Sequence, residues 1–373
     1  MLELICTADK TQILDIAMTT PHSTPSVAAP VRPTSRAIQG ILCVEIGMLF
    51  FVAQDALMKT LLDTYPIWLL MFVRSVIAVL ILVPLILWLG SPHRLFSSLW
   101  PLHVVRGTLF AAGFSLFYAA FPFMGLAEVS TIFFSAPLFT ALMAAVFLGE
   151  KIGWHRIGAL VVGFVGVVIA MNPSPANFNW IALLPLLCAV FYSAGQVIAR
   201  QIGERESSLS VGLQTLFFAG LAILPMGWLV NQVFPIGEDF PHLQFALPQG
   251  PWPQPYLLPL IGFVGMCGYI LLSRAYQVAD ASLVAPFDYT YLPLVTALGY
   301  LLWAEVPPQS TFLGMILIVG AGLYLGYREL RATAGRDEVA LVGESVFPPT
   351  SIPITQIPEE EQRGPSGGDE GTL

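Results

Sequence analysis

The sequence predicts an all-α integral membrane protein with ten transmembrane helices, arranged as two inverted repeats of five. Three observations predict it. First, 56% of the 373 residues are apolar and only 11% are charged, with a mean hydropathy of +0.75. A soluble domain carries about 25% charged residues. Second, ten apolar runs approach the roughly 20 residues that a helix needs to cross hydrocarbon. Third, polar and small residues of the first half recur in the second at a nearly fixed spacing. The composition excludes a disordered chain and a nucleic-acid-binding protein, and it points away from a cytosolic enzyme.

The ten runs are 38–61, 66–89, 104–123, 129–149, 157–172, 179–199, 210–230, 256–276, 282–303 and 312–328. Spanning β-strands would need alternating segments of about ten residues, and Ile77-Ala-Val-Leu-Ile-Leu-Val does not alternate. Residues 1–37 are polar and carry Pro21, Pro25, Pro30 and Pro33. The apolar stretch near Ile13 is too short and acidic for a signal-peptide core, so no cleaved signal is expected. The tail 332–373, with Glu359, Glu360 and Glu361, is rich in Pro, Gly and Glu and reads as disordered. It supplies much of the net charge of −8.

Basic residues set the expected orientation. With the N-terminus in the cytoplasm, all of the sixteen Lys and Arg residues except Lys59 and Arg74 fall on cytoplasmic segments. The long outer loop 231–255 holds Glu238, Asp239 and His242 but no Lys or Arg. Both termini are therefore expected in the cytoplasm, with the spans in the cell inner (plasma) membrane.

The repeat is read from pairs of residues. Asp55 and Lys59 are answered by Gln196 and Arg200, and Pro84 by Pro225, at an offset of 141 (196 − 55 and 225 − 84). Ala127-Glu128 is answered by Ala279-Asp280 at 152 (280 − 128), Glu150 by Glu305 at 155 (305 − 150), and Gly158 by Gly314 at 156 (314 − 158). The loop 231–255 accounts for the first jump. Residues 38–172 and 179–328 are thus two five-span halves. An odd number of spans makes the second half enter from the opposite side. Inverted repeats place a substrate site near the midplane, between the halves, and support alternating access.

Certain segments resemble a known domain. Ser135-Ala-Pro137-Leu, Leu148-Gly-Glu150-Lys, Gly158 and Gly163-Phe-Val-Gly166 resemble the end of an EamA domain. Ala285-Pro-Phe-Asp288-Tyr289, Trp303-Ala-Glu305-Val-Pro307, Gly314 and Gly320-Ala-Gly322-Leu-Tyr324 are the counterpart. Two tandem copies resemble the ten-helix drug/metabolite transporter superfamily. Arg74, Arg106-Gly107 and the Phe-rich third span resemble most the branch of riboflavin and S-adenosylmethionine carriers. The resemblance implies a transporter of small organic solutes. Members import vitamins and nucleotide derivatives or export amino acids and drugs.

Ala159/Gly163, Gly166/Ala170 and Gly322/Gly326 are small-xxx-small pairs, which let helix backbones approach closely in lipid. They fit packing within a monomer or a homodimer face. Pro84, Pro122, Pro137, Pro185, Pro225, Pro286 and Pro293 fall within spans. Proline bends a helix, so Pro137 and Pro293 are expected to be gating hinges or static kinks.

Ionisable residues within spans carry the functional reading, because they are costly there and face a cavity or a partner. Glu45 and Asp288 share a layer about 9–10 Å from the cytoplasmic ends of spans one and nine. Arg106 and Arg274 lie nearer that surface, where they could neutralise them. Asp288 sits among Phe287, Tyr289 and Tyr291, between Pro286 and Pro293. A carboxylate with aromatic neighbours suits a cationic or aromatic ligand. Asp288 and Glu45 are therefore candidates for binding a substrate's charged end or carrying a coupling proton. Asp55 and Arg74, both about 9–12 Å from the outer surface, can form an intramembrane ion pair, and Lys59 competes for Asp55 at i,i+4. Glu128 and Asp280 read as helix N-terminal caps, and Glu150 and Glu305 as structural loop residues. Lys151, His155 and Arg156 read as cytoplasmic anchors.

Phe110, Phe114, Phe117, Tyr118 and Phe121 follow helical spacing on span three, as a lipid-facing or packing stripe or as a stacking wall. Tyr269 and Tyr276 occupy the equivalent span of the other half. Gln196, Ser193 and Ser135 are uncharged polar groups able to orient a ligand.

No HExxH, nucleophile elbow, P-loop or metal-spaced histidine cluster occurs. The five histidines lie in tails or loops, and the four cysteines form no CxxC. No enzyme activity, cofactor or metal is expected. The sequence reads as a secondary transporter of a small organic metabolite across a lipid bilayer, with a cavity lined by spans one, three, four, six, eight and nine. An exporter of amino acids or drug-like compounds, a channel or a sensory protein are the alternatives.

Overall fold

A computed structural model describes residues 35–90, 93–147, 154–172, 179–203, 206–234, 236, 240–246, 252–279 and 281–333. Nearly all of the expected tails 1–37 and 332–373, and Glu150, Lys151, Arg205, Glu238, Asp239 and Asp280, lie outside them, as do the side chains of Arg36, Arg200, Arg328 and Arg331.

Every described span is helical. Span one runs Ser35–Leu62, span two Ile67–Leu89, span three Trp100–Ala119 and span five Trp154–Met171. A 3-10 turn, Trp180–Ala182, leads into span six, Leu183–Gly203, and Asn179 caps it by accepting from the Ile181 amide. Spans seven, eight and ten are Ser208–Val233, Leu257–Val278 and Gln309–Thr333. Spans four and nine are broken. Span four is Leu126–Phe133 and Ala136–Phe147. Span nine is Ala281–Val284, a 3-10 stretch Ala285–Thr290, and Tyr291–Trp303. Among the described residues nine spans, with span four counted across its break as Leu126–Phe147, are long and apolar enough to cross a membrane, and span nine is the interrupted tenth.

The breaks have local causes. Pro137 cannot continue the hydrogen-bond ladder behind it, and Pro286 does the same in span nine. The repeat offset grows from 152 to 155 between residues 128 and 150, and the 3-10 stretch lies where the second half carries the extra residues. Elsewhere prolines sit where the helix tolerates them. Pro66 precedes span two in the extended conformation, Pro101 lies in the first turn of span three, and Pro84 and Pro225 lie within continuous helices. Pro122 falls in the turn after span three rather than within it.

The helix neighbours repeat between the halves. Span one packs along span eight, and span three along span six. Span two meets span eight as span seven meets span three. Span one also meets span nine as span six meets span four, while spans two and seven, and five and ten, pair with their own counterparts. Exchanging each span with the one five later reproduces each of these pairings, as a two-fold relation between halves requires.

Small residues set two of these crossings. A Cβ on Gly314 would lie 2.6 Å from the Gly166 carbonyl oxygen and 2.6 Å from Ala170 Cβ, so spans five and ten touch backbone to backbone. Gly47 and Gly268 do the same for spans one and eight, each near the other's carbonyl. Gly163, Gly166 and Gly322 thus pack within the chain, whereas Gly158, Gly320 and Gly326 face open space.

Candidate functional site

Four spans converge on Asp55, which is 7% exposed. The Tyr118 hydroxyl of span three donates to Asp55 Oδ1 at 2.9 Å. The Tyr291 hydroxyl, on the first turn after the break in span nine, donates to Oδ2. The same Tyr118 oxygen accepts from Arg74 Nη1 of span two at 3.2 Å and from Gln54 Nε2 at 3.1 Å. Arg74 also lies over the rings of Phe110 and Phe114, 5.7 Å from each centroid. A buried carboxylate is tolerated only when hydrogen-bonded and near a compensating charge, and two phenols and a guanidinium supply both.

The expected ion pair thus takes another form. Asp55 and Arg74 are not among the pairs within 4.0 Å, and Tyr118 bridges them. Lys59 does not compete for Asp55 either. It pairs with Glu305 and donates to the Met124 carbonyl oxygen at 3.2 Å, with its ammonium 5.4 Å from the Trp303 ring centroid. Glu305 Oε2 accepts from the Leu126 amide at 2.9 Å, so Glu305 caps the start of span four. Ala304, left-handed at φ 54°, turns the chain at the end of span nine to present it. This cluster joins spans one, four and nine at one end of the bundle. A cavity of about 140 Å³ lies beside it, lined by Glu128, Thr296 and Glu305 among others.

The opposite end is tied by other groups. Glu206 accepts from Ser97 and meets His103 Nε2 at 3.0 Å. Ser210 Oγ accepts from the Arg94 amide, His93 meets Ser207, and Gln214 donates to the Leu95 carbonyl oxygen. His103 is therefore in the first turns of span three, fully buried, rather than in a loop.

Between the two ends lie two cavities of about 20 Å³, each with room for roughly one water. One is lined by Asp55, Arg74, Tyr118, Tyr291 and the rings of Phe114 and Phe133. The other is lined by Gln54, Arg74, Phe110, Leu216, Gly265 and Tyr269. Spans two and seven therefore line this space. Tyr192 of span six stands behind it, packed on Phe114 and Phe133. The stripe Phe110, Phe114, Phe117, Tyr118 and Phe121 does not face lipid: each residue is at most 6% exposed.

The remaining predicted residues separate. Asp288, 1% exposed, accepts from the Tyr276 hydroxyl at 3.1 Å, while Tyr289 turns to Gly322 and Phe134. Tyr291 leaves Asp288 for Asp55. Glu45 is half-buried and makes no ion pair among the described residues. Arg274 is exposed beside Gln277, so it does not neutralise Asp288. Arg106 is buried, donating to Thr215 Oγ1 at 2.8 Å. Gln196 donates to Tyr192. Ser193 donates to the Ala136 carbonyl oxygen at the break in span four, and Ser135 to its own turn at Ile132. Sequence reasoning misses Gln54 and the bridging role of Tyr118. Helical spacing shows Tyr118 on the ring stripe but not which carboxylate it reaches.

The model of the EamA-like transporter family matches residues 38–172 and again 179–327. The chain belongs to the EamA-like transporter family. Curated relatives of this EamA-like transporter carry several cargoes. The S-adenosylmethionine uptake transporter of Rickettsia bellii is 27% identical over 264 residues, 70% of this chain and 84% of the relative. The pseudopaline exporter CntI of Pseudomonas aeruginosa is 29% identical over 287 residues, 77% and 95% of the two chains. The riboflavin transporter of Vibrio cholerae is 28% identical over 269 residues, 72% and 85%.

Proposed function

We propose that the protein is a secondary transporter that carries a small organic metabolite across the cell inner (plasma) membrane by alternating access. The observation that carries the reading is the Asp55 carboxylate, held by one tyrosine from each half of the repeat, Tyr118 and Tyr291. A rocking motion of one half against the other must remake the Tyr291 bond, which crosses between halves, so a substrate or a proton arriving at Asp55 biases the motion. Asp55, Arg74 and the ring wall form the central substrate site in this reading. Asp288 with Tyr276, and Glu45, form a second carboxylate layer suited to a coupling proton. Gln196, Ser135 and Tyr289 support the site through neighbours. The Lys59–Glu305 end faces outward and both termini face the cytoplasm. The chain works as a monomer or a homodimer.

S-adenosylmethionine and riboflavin, the cargoes of two relatives, head the substrate panel. Counterflow into proteoliposomes tests it. Exchange of at least one panel member, lost in Asp55→Asn at equal protein level, is expected. Exchange unaffected by Asp55→Asn would contradict the proposed site. One relative is an exporter, so the same assay in both membrane orientations assigns direction.

A further inference from the structure

We propose that Arg106 is an anion-binding subsite, which makes the transported solute one that carries a carboxylate or a phosphate. The inference rests on the carrier reading above and names its substrate class.

Arg106 is 4% exposed in the interior of span three. A guanidinium has five N–H donors, and the one hydrogen bond it makes among the described residues is to the neutral hydroxyl of Thr215, at 2.8 Å. No carboxylate of the described residues pairs with it within 4.0 Å. Glu206, near the same end of the bundle, is taken by His103 and Ser97. The electrostatic neighbours of Arg106 are the phenols of Tyr192 and Tyr269 and the imidazole of His103. A buried charge with no counter-charge is costly, and a bound anion supplies the missing one.

The other buried arginine of the transport space differs. Arg74 has the Asp55 carboxylate one hydroxyl away, whereas Arg106 has no carboxylate so linked to it among the described residues. Arg106 lies one helical turn before Phe110 on the same buried face of span three, and Phe110 lines the cavity that holds Arg74 and Gln54. In that cavity Gln54, 2% exposed, has its Oε1 without a hydrogen-bond partner among the described residues. The space thus presents an unbalanced cation and, deeper, an unfilled acceptor followed by the Asp55 carboxylate. A solute with an anionic group and N–H donors or a cationic group further along satisfies all three. Planar guanidinium geometry favours a bidentate carboxylate or phosphate.

The test uses full-length protein in proteoliposomes and two pairs of probes that differ in one anionic group. S-adenosylmethionine is compared with its methyl ester, and riboflavin 5′-phosphate with riboflavin. The anionic member of at least one pair is expected to be taken up at least about tenfold faster than its partner, the size of one lost charge-assisted hydrogen bond. The pair that responds separates carboxylate from phosphate. Arg106→Gln should abolish the preference, and Arg106→Lys should keep it at reduced affinity. Glu206→Gln should leave it unchanged. Arg106→Lys also serves where Arg106→Gln does not fold. Uptake without preference, or preference retained in folded Arg106→Gln, would overturn the subsite and leave the carrier reading standing. No uptake of any probe by folded wild-type protein would overturn both.

Discussion

Asp55 and Arg74 are joined through a single oxygen, the Tyr118 hydroxyl, which donates to the carboxylate at 2.9 Å and accepts from the guanidinium at 3.2 Å. The charges are therefore coupled without touching, and the hydroxyl can be turned from one arrangement to another without separating a salt bridge. A direct pair would lock spans one and two together. A bridge from span three lets a third helix sense both charges.

The bridge predicts a specific coupling. Tyr118→Phe leaves Asp55, Arg74 and Gln54 each short of one partner and should cost about 1–3 kcal/mol. In a double-mutant cycle, Asp55→Asn and Arg74→Gln should couple by about 0.5–3 kcal/mol in the wild-type background and by much less in the Tyr118→Phe background. Equal coupling in both backgrounds, read from thermal unfolding in detergent, would mean the charges act directly.

The Lys59–Glu305 cluster predicts a gate. Glu305→Ala leaves the Lys59 ammonium without its counter-charge and the Leu126 amide uncapped, whereas Lys59→Ala leaves Glu305 its Leu126 amide and frees only the neutral Met124 carbonyl oxygen beside it. Glu305→Ala should destabilise more. Either should raise labelling of Thr296→Cys, beside the 140 Å³ cavity, by a charged thiol reagent. Unchanged labelling would mean that this end stays shut without the pair.

Close helix contact predicts where size is tolerated. Gly314→Val inserts atoms where Cβ alone already meets Ala170 Cβ at 2.6 Å, so overpacking should cost about 1–3 kcal/mol or more. Gly158→Ala and Gly320→Ala meet nothing within 4 Å and should be near neutral. Comparing melting temperatures of the three variants checks it.

Two loop histidines predict a pH response. Burial lowers the pKa of His242, with a backbone hydrogen bond to Ala119 opposing it, and burial lowers that of His93. Their unfolded value is near 6.5. The unfolded state then binds more protons, so the stability they contribute is complete above about pH 6.5 and falls as pH drops toward the lower folded values. His242→Phe, which keeps the ring against Phe123 and Phe240, should flatten that part of the profile. An unchanged slope would exclude His242 as its source.

Much of the fold is legible in the sequence because membrane spans obey a length rule and the repeat obeys an offset. Even the broken ninth span is marked by Pro286 and Pro293. The site is legible by residue type but not by pairing. Asp55, Arg74 and Tyr291 stand out as costly or polar groups in apolar runs. Their partners depend on how spans rotate about their axes, which no spacing within one helix fixes. Hence sequence proximity puts Tyr291 beside Asp288, three residues away, though it lies past a 3-10 stretch and faces Asp55. Helical spacing puts Lys59 with Asp55 at i,i+4, though Glu305, 246 residues distant, takes it. Thr215 gives no warning of its role, because a threonine in an apolar run carries no signal.

The most direct measurement is counterflow of a metabolite panel headed by S-adenosylmethionine and riboflavin, through proteoliposomes holding wild-type protein, Asp55→Asn or Tyr118→Phe. A central site at Asp55 predicts exchange of at least one compound by wild-type protein. It predicts a loss of about tenfold or more in Asp55→Asn, the size of one charge-assisted hydrogen bond, and a smaller loss in Tyr118→Phe. Full exchange by well-folded Asp55→Asn would contradict it.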